Sequence, residues 1–590
     1  MRKAIWMSAV AVWACCFVGT TAVVAFGSQE SPATRALVWD NKGQLHAIDP
    51  ERGTRLGSAT VRPGRLLLPP DRSRLVGLWA EPRTEIEHAT ILDRRSLRPI
   101  GDIPMGLYCR ENLQMSDGRH LAAICYESNR KNPNGPMNGY LLGIDMATGT
   151  LTGRLQTVGT TSMFDAGESR VGILSSRTSS APANTIVIAR LPEFKQPVKL
   201  DLPCGGVVRQ ELLTADRRRL FVRCDTDRPQ RKNAPAIPSS MVIIDLETLA
   251  SPRVVPLGDR VFGTWSRSDE RFIYVSSDDR DIRADVETGL SVFSIDKESV
   301  TDHIPLSKDA REFRSSARFE GRTREEGPIL IQSGSSALLI RDGRVLSTME
   351  LPGRSFFTNF DESPGRQRGY VSRDGNVVAV DLAAGAQAWT AALPNEGRLT
   401  VSPDDTRLLR RRDDDFAVLD ATNGKTVGQF KASSKGARAG LFLKALALSL
   451  LDGRPADIGT DIAFSAAGGR AMVLATTGEV VLVDLADGRP VVRLTERASA
   501  LVGLPTGPLA LMLSARQVVV YDMTAAKEAN RLSFPDAPGG IPPLVAFSRD
   551  GARVAVGAGS TTYFLEPLSG RVVARADGFG RIAGMLFLNE

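Results

Sequence analysis

The sequence predicts an all-β fold, a β-propeller of about twelve four-stranded units. Two turn patterns recur along the chain at intervals of roughly 40–48 residues, the period of propeller blades. Apolar strands flank these turns, and hydrophobic residues make up 42% of the chain, which is enough for a packed core. Because propellers usually have about 4–8 blades, about twelve units favour two tandem propellers over one ring.

The first pattern is an apolar strand, a turn of the type Ser-x-Asp, an arginine and a second apolar strand. Residues 547–556 read FSRDGARVAV, and residues 265–275 read WSRSDERFIYV. Related copies begin at Met115 and Val401. An Asp side chain accepts hydrogen bonds from the backbone of its own turn. The pattern therefore predicts a hairpin between the first two strands of a unit, A and B.

The second pattern is an apolar strand that ends in Asp-x-x-x-Gly. It occurs at residues 49–53, 145–149, 381–385, 420–424 and 484–488. Glycine supplies a positive φ without the clash of a Cβ atom, so this pattern predicts the hairpin between strands C and D.

Residues 375–389 combine the second pattern with a tryptophan and read GNVVAVDLAAGAQAW. This segment resembles the quinoprotein repeat motif with its docking tryptophan. The units as a whole resemble the superfamily of WD40-like, YVTN and quinoprotein-like (PQQ-like) propeller repeats, over about residues 36–590. The resemblance implies a fold far more specifically than it implies an activity.

The predicted organisation is a first propeller over residues 34–310 and a second over residues 311–580. A short apolar helical insertion is expected near residues 437–451. The first unit has no strand A of its own, and residues 581–590 resemble one. We therefore expect the C-terminal strand to complete the first blade, which would remove an exposed strand edge.

The N-terminus predicts export. Arg2 and Lys3 precede a charge-free run over residues 4–26. A signal-peptide core takes about 7–15 residues and a membrane span about 20, so residues 1–33 are either a cleaved signal peptide or an N-terminal anchor. In both cases the remaining chain is expected outside the cytoplasm, in the periplasm or at the cell surface.

Four of the six cysteines form two pairs, Cys109 with Cys125 and Cys204 with Cys224. Each pair brackets one A–B hairpin, which places its members at the open end, within reach of a disulfide. Export favours oxidation. We predict two disulfides, with four buried thiols as the alternative.

Three successive units have unusually long B–C loops, at residues 127–138, 175–185 and 225–239. In a propeller these loops share one face, and variable polar loops on a rigid scaffold are a common form of binding site. Solvated insertions are the alternative. The candidate binding residues are Arg130, Lys131, Asn132, Arg177, Arg228, Arg231 and Lys232.

The net charge of +7 is spread along the chain. A nucleic-acid binder would concentrate it in a stripe or tail, so no nucleic-acid partner is expected. The preferred hypothesis is a monomeric extracytoplasmic propeller that binds or scaffolds a protein or an anionic polymer through the loop-bearing face. It would contact a membrane only through an N-terminal anchor.

The alternative hypothesis is a propeller enzyme with a site in its central channel. It would be a quinoprotein-like oxidoreductase or a lactonase-like hydrolase, as the resemblance implies. The resemblance also implies a vicinal disulfide and a calcium site for the PQQ-dependent dehydrogenases, and the vicinal pair Cys15–Cys16 lies in the export segment. The four histidines show no metal-ligand spacing. We therefore assign no catalytic residue, metal or cofactor, and neither calcium nor PQQ is supported.

Overall fold

A computed structural model gives the fold. It describes residues 35–61, 65–67, 73–81, 84, 86–106, 108–127, 138–157, 160–175, 184–204, 208–224, 239–257, 263–268, 271–277, 289–306, 329–333, 336–352, 359–362, 367–393, 397–433, 462–504, 506–537, 543–548 and 550–588. Within these ranges the chain forms twelve antiparallel sheets, eleven of four strands and one of three. No helix occurs among these residues. The all-β fold and the repeated four-stranded unit are confirmed.

The sheets are numbered as blades in chain order. Blade 1 contains β1 (Arg35–Asp40), β2 (Gln44–Ile48), β3 (Arg55–Thr60) and β47 (Ile582–Leu588). Blade 2 contains β4 (Arg65–Leu67), β5 (Arg74–Ala80), β6 (Glu87–Asp93) and β7 (Pro99–Gly106). Blade 3 contains β8 (Tyr108–Gln114), β9 (His120–Glu127), β10 (Asn138–Asp145) and β11 (Thr150–Thr157). Blade 4 contains β12 (Thr160–Asp165), β13 (Arg170–Ser175), β14 (Thr185–Arg190) and β15 (Lys195–Asp201).

The middle of the chain forms four further blades. Blade 5 contains β16 (Val208–Leu213), β17 (Arg219–Cys224), β18 (Ser240–Asp245) and β19 (Arg253–Pro256). Blade 6 contains β20 (Gly263–Ser268), β21 (Phe272–Ser277), β22 (Gly289–Ser294) and β23 (Ser299–Pro305). Blade 7 contains β24 (Ile329–Ser333), β25 (Ser336–Arg341) and β26 (Arg344–Glu350). Blade 8 contains β27 (Asn359–Glu362), β28 (Arg368–Arg373), β29 (Asn376–Asp381) and β30 (Ala386–Ala392).

The last four blades follow the same order. Blade 9 contains β31 (Arg398–Val401), β32 (Arg407–Arg412), β33 (Asp415–Asp420) and β34 (Thr426–Lys431). Blade 10 contains β35 (Ile462–Phe464), β36 (Arg470–Leu474), β37 (Glu479–Asp484) and β38 (Arg489–Arg497). Blade 11 contains β39 (Ala500–Gly503), β40 (Leu509–Leu513), β41 (Gln517–Asp522) and β42 (Lys527–Ser533). Blade 12 contains β43 (Leu544–Phe547), β44 (Val554–Ala558), β45 (Thr561–Leu565) and β46 (Val572–Ala576).

The C-terminal strand lies in the first blade. β47 pairs antiparallel with β1, from Arg35 opposite Leu588 to Asp40 opposite Ile582. Blade 1 thereby takes its strand A from the end of the chain and strands B, C and D from the beginning, which is the arrangement expected from its missing first strand.

Buried side chains form the core between neighbouring blades. Strands B and C alternate their side chains between two faces, and both faces are buried. Twelve apolar clusters result, and each joins one blade to the next in chain order. One cluster joins blades 6 and 7 through Tyr274 and Ile340, and another joins blades 12 and 1 through Phe564 and Val38.

The order in which these clusters join the blades can be compared with the expected division into two propellers. A six-bladed ring closed on itself would join blade 6 to blade 1. Over the described parts of the chain the clusters instead run in one circuit through blades 6 and 7 and through blades 12 and 1. The division near residue 310 stays a prediction. Residues 307–328, which include that boundary, and the expected helical insertion near 437–451 lie outside the described residues.

An arginine at the start of strand B connects neighbouring blades at several junctions. Arg407 is the first residue of strand B in blade 9, and its Nε donates to the carbonyl oxygen of Leu485 in blade 10 at 2.8 Å. The acceptor is the residue that follows strand C of the next blade. The same relationship joins Arg170 to Leu246 (2.6 Å), Arg219 to Ile295 (3.5 Å), Arg368 to Ala421 (2.9 Å) and Arg470 to Met523 (2.6 Å).

Candidate binding face

Strand direction gives each blade two different ends. The A–B and C–D hairpins lie at one end, which we call the turn face, and the B–C and D–A connections lie at the other, which we call the loop face. The strands that flank the three long B–C loops stay paired up to the loop in blades 3, 4 and 5, at Glu127–Asn138, Ser175–Thr185 and Cys224–Ser240. Clusters join these three blades in order, so the loops leave the scaffold at adjacent positions on the loop face.

The candidate residues within these loops lie outside the described residues. They are Arg130, Lys131, Asn132, Arg177, Arg228, Arg231 and Lys232.

Blade 3 carries the first disulfide. Cys109 of strand A and Cys125 of strand B lie directly opposite each other in the ladder, with Cα atoms 3.9 Å apart, and their sulfur atoms are bonded. The bond lies two residues before the end of strand B, at Glu127, where the long loop begins. It therefore ties the inner strand to the root of the loop.

Blade 5 carries the second disulfide. Cys204 precedes strand A and is bonded to Cys224, the last residue of strand B. Asn184, at the root of the loop in blade 4, donates from its side-chain amide to the carbonyl oxygen of Cys204 at 2.9 Å. The second disulfide is thus connected to the loop root of the preceding blade. Both predicted disulfides are confirmed.

Glu87 of blade 2 lies against the first disulfide. Its carboxylate accepts a hydrogen bond from the backbone N–H of Cys109, and burial raises its pKa above the ordinary value. Since this half-buried acid begins strand C, it lies at the loop face and extends the candidate surface from blade 3 to blade 2.

A second group of polar side chains lies at the loop end of blade 2. Trp79 and His88 are stacked with ring centroids 4.3 Å apart. Trp79 Nε1 donates to Thr90 Oγ1 at 2.9 Å, and Thr90 Oγ1 donates to Asp102 Oδ1 at 2.6 Å. His88 Nδ1 lies 3.2 Å from the other oxygen of Asp102. Sequence reasoning missed this group because its members lie on three strands and match no motif.

Blade 9 contains a cavity of about 320 Å³ near the loop face. Its lining combines Arg410, Arg412 and Lys431 with one carboxylate, Asp415. Neither turn pattern predicts it, because the four residues occupy ordinary strand positions. The sequence does contain the run RRRDDD at residues 410–415, which indicates a charged hairpin at this position.

A larger cavity of about 540 Å³ lies at the turn face, beside blades 4 and 5. It is lined by the C–D hairpin of blade 4, including Arg190, Pro192 and Lys195, and by Leu249 of blade 5. Arg170 also lines it, and its guanidinium already donates to the carbonyl oxygen of Leu246. This cavity is therefore part of the junction between the two blades.

An acid–histidine contact also lies at the turn face. Asp117 of blade 3 accepts from Ser169 of blade 4 at 2.7 Å, and its second contact is to His120 Nδ1 at 2.6 Å. Burial opposes the ionised form of Asp117, but hydrogen bonds from His120, Ser169 and the backbone hold its pKa at about 2. The serine contacts the carboxylate and not the imidazole, so this is not a nucleophile–base arrangement.

The described ranges contain neither a metal site nor a membrane-spanning helix. No group of three or more His, Cys, Asp or Glu side chains there is arranged to hold a metal ion. Nor does that part of the chain include a helix long and apolar enough to cross a membrane. Many strand A side chains that would line a central channel, including those of blades 6 and 8, lie outside the described residues.

A docking tryptophan joins blades 8 and 9. Trp389 Nε1 donates to the carbonyl oxygen of Ala421 at 3.1 Å, and its ring packs on Gly424. Residues 336–501, which include this contact, match the family model described as outer membrane protein assembly factor BamB. This segment consists of PQQ-like propeller repeats. The PQQ-like segment runs from β25 of blade 7 to β39 of blade 11.

Two solved structures are similar to parts of this chain. The crystal structure of BamB from Moraxella catarrhalis matches with 16% identity and a TM-score of 0.27, over 45% of this chain and 91% of that chain. The crystal structure of a mitotic checkpoint complex matches with 12% identity and a TM-score of 0.28, over 42% of this chain and 73% of that chain. A search of curated proteins found no match.

Proposed function

We propose that this protein is an extracytoplasmic β-propeller that binds protein partners through its loop face and holds them as a scaffold. The observation that carries the proposal is the set of adjacent loop roots in blades 3, 4 and 5, two of which are fixed by disulfides. A fixed root lowers the conformational entropy that a loop loses when it binds. The description of the family model that matches residues 336–501 supports a protein-binding role in an assembly process.

The proposed location outside the cytoplasm is supported by the same disulfides. Disulfides persist in oxidising compartments and are rare in the cytosol of most organisms. The export segment over residues 4–26 is the sequence feature that would deliver the chain there. An anionic polymer is the second partner class consistent with the basic residues of the loops.

The test is capture of partners by the tagged full-length protein after mild crosslinking in its native host. One double variant is Arg130→Glu/Lys131→Glu and another is Arg231→Glu/Lys232→Glu. The matched control is Lys195→Glu/Lys199→Glu, which reverses two exposed charges on the outer strand of blade 4.

We expect the loop variants to lose most of the captured protein and the control to keep it, because the loop cations would lie in the interface. Equal capture by all four proteins would remove the loops from the interface. Recovery of the protein in the cytoplasmic fraction, with free thiols, would contradict the proposed location.

A further inference from the structure

The chain enters the fold at the turn face of blade 1. β1 is strand B of this blade and β47 is its strand A, and Arg35 lies opposite Leu588 at the end where a strand A meets a strand B. The Arg35 guanidinium donates to the carbonyl oxygen of Arg95 in blade 2 at 2.8 Å. The segment that precedes Arg35 therefore meets the propeller on the turn face, whereas the three long B–C loops leave from the loop face.

The preceding segment brings the turn face close to a membrane when it is retained as an anchor. Residues 4–26 carry no charge, and at 23 residues the run exceeds the roughly 20 that span a bilayer. Residues 27–34 link this run to Arg35. These eight residues reach at most about 28 Å when fully extended. The turn face of blade 1 would then stay within that distance of the lipid surface.

A basic patch lies beside this entry point, on the C–D hairpins of blades 1 and 2. The hairpins, residues 49–55 and 93–98, contain five arginines and three acids, a formal charge of +2. The side chains of Arg52, Arg95 and Arg98 are exposed. Within the described part of the chain, none of these three guanidinium groups makes an ion pair or a hydrogen bond. They are therefore available to an anion from outside the fold.

The three acids of these hairpins are already engaged. Asp49 accepts the backbone N–H of Glu51 at 2.8 Å within its own turn. The Glu51 carboxylate accepts two hydrogen bonds of 2.7 Å from Arg553 of blade 12. Asp93 accepts both the backbone N–H and the hydroxyl of Ser96, at 2.9 and 2.8 Å. These acids therefore do not neutralise the three exposed arginines.

Exposed leucines flank the patch. Leu56 directly follows the first hairpin and is 50% exposed, and Leu568 in the C–D hairpin of blade 12 is 64% exposed. Apolar clusters join blades 12, 1 and 2 in order, so the leucines and the arginines lie on consecutive blades. Basic and apolar side chains together are typical of surfaces that bind the interface of an anionic membrane.

We propose that the turn face of blades 12, 1 and 2 docks on anionic lipid headgroups through Arg52, Arg95 and Arg98. This goes beyond the proposed function, which concerns the loop face, and it adds a contact from the folded chain to the membrane contact expected through the N-terminal anchor. Guanidinium groups bind phosphates with paired hydrogen bonds. An acidic protein offers similar charges, but the tether raises the effective concentration of lipid at the patch. The long loops would point away from the membrane.

The experiment measures how fast phenylglyoxal modifies individual arginines of the full-length protein, with mass spectrometry as the readout. The protein is reconstituted in vesicles of phosphatidylcholine, with or without one third phosphatidylglycerol. Arg516 is the internal control, because it is exposed at the loop face, between strands B and C of blade 11. Arg571, which is 71% exposed in the same hairpin as Leu568, reports docking in variants that lack the patch.

Two triple variants carry the same change of charge on opposite faces. All six positions are exposed, so that folding is preserved and can be verified by thermal unfolding. The patch variant is Arg52→Glu/Arg95→Glu/Arg98→Glu, and the matched control on the loop face is Lys42→Glu/Arg497→Glu/Arg516→Glu.

We expect Arg52, Arg95 and Arg98 to react at least threefold more slowly on the anionic vesicles than on the neutral ones, and Arg516 to react equally on both. Arg571 should be slowed in the parent and in the control variant but not in the patch variant. Equal rates on both vesicles, equal slowing of Arg516, or slowing of Arg571 that survives in the patch variant would overturn the proposal. Slowing only in native membranes that hold protein partners would also overturn it, in favour of an acidic protein.

Discussion

Arg407 of blade 9 donates from Nε to the carbonyl oxygen of Leu485 in blade 10, at 2.8 Å. The donor begins strand B, and the acceptor follows strand C of the next blade, so the bond crosses the junction at the turn face. Four further arginines donate from Nη1 to the equivalent carbonyl oxygen at other junctions. In these five blades, the arginine that begins strand B is therefore a contact between blades as well as a part of its own blade.

Replacement of this arginine should weaken the junction. We expect Arg407→Met to lower the free energy of unfolding by about 1–3 kcal/mol, because a charge-assisted hydrogen bond is lost and the Leu485 carbonyl loses its donor. The measurement is the urea midpoint followed by circular dichroism. Arg489→Met is the control, since that side chain is 83% exposed on the outer strand of blade 10. Equal midpoints for the two variants would contradict the assigned role.

The turns were predictable from sequence because their causes are local. An Asp that binds its own turn and a Gly at positive φ act within five residues, as at Asp420 and Gly424. The role of Arg407 was not predictable, because its acceptor lies 78 residues away and depends on how blades pack. The docking role of Trp389 was implied only by the resemblance to quinoprotein repeats, since its acceptor lies 32 residues away. The cavity of blade 9 was not predictable for the same reason, since its charged lining comes from three strands that lie side by side.

The two disulfides should each stabilise the loop face. We expect Cys109→Ser/Cys125→Ser and Cys204→Ser/Cys224→Ser each to lower the free energy of unfolding by about 2–4 kcal/mol, because each bond closes a short loop in the unfolded chain. Urea unfolding with and without dithiothreitol measures this. A variant with all four serines should not respond to the reductant; a response there would show that the reductant acts elsewhere.

Gly424 should not tolerate a side chain. Its φ is +72°, and a Cβ atom would lie 2.4 Å from Cε3 of Trp389. We expect Gly424→Ala to cost about 1–3 kcal/mol, from the left-handed backbone and the displaced indole. Tryptophan fluorescence during urea unfolding gives the midpoint. Gly469→Ala is the control, because nothing lies within 4 Å of its added Cβ. A similar shift in both variants would mean that the Trp389 contact is not the cause.

Asp117 should make the free energy of unfolding depend on pH. Its folded pKa is about 2 and its ordinary value is 3.8, so below pH 4 the unfolded chain binds the proton more tightly. The stabilisation is present above the ordinary pKa and is lost as the pH falls from about 4 towards 2. We expect Asp117→Asn to flatten the change in urea midpoint across this window. Asp201→Asn, at an exposed carboxylate, should leave it unchanged; a parental slope in Asp117→Asn would refute the assignment.

The path of the blade junctions can be tested by cutting the chain. Arg271 of blade 6 binds Asp342 of blade 7 at 2.9 Å, and Arg553 of blade 12 binds Glu51 of blade 1 at 2.7 Å, which agrees with one circuit through both junctions. We expect residues 34–310 joined to 581–590 not to unfold cooperatively on their own, because blade 6 would lose its apolar contact with blade 7. Deletion of residues 582–590 from the full chain should lower its unfolding midpoint, because β1 would become an exposed edge. Cooperative unfolding of the isolated half at the parental midpoint would instead establish two separate propellers.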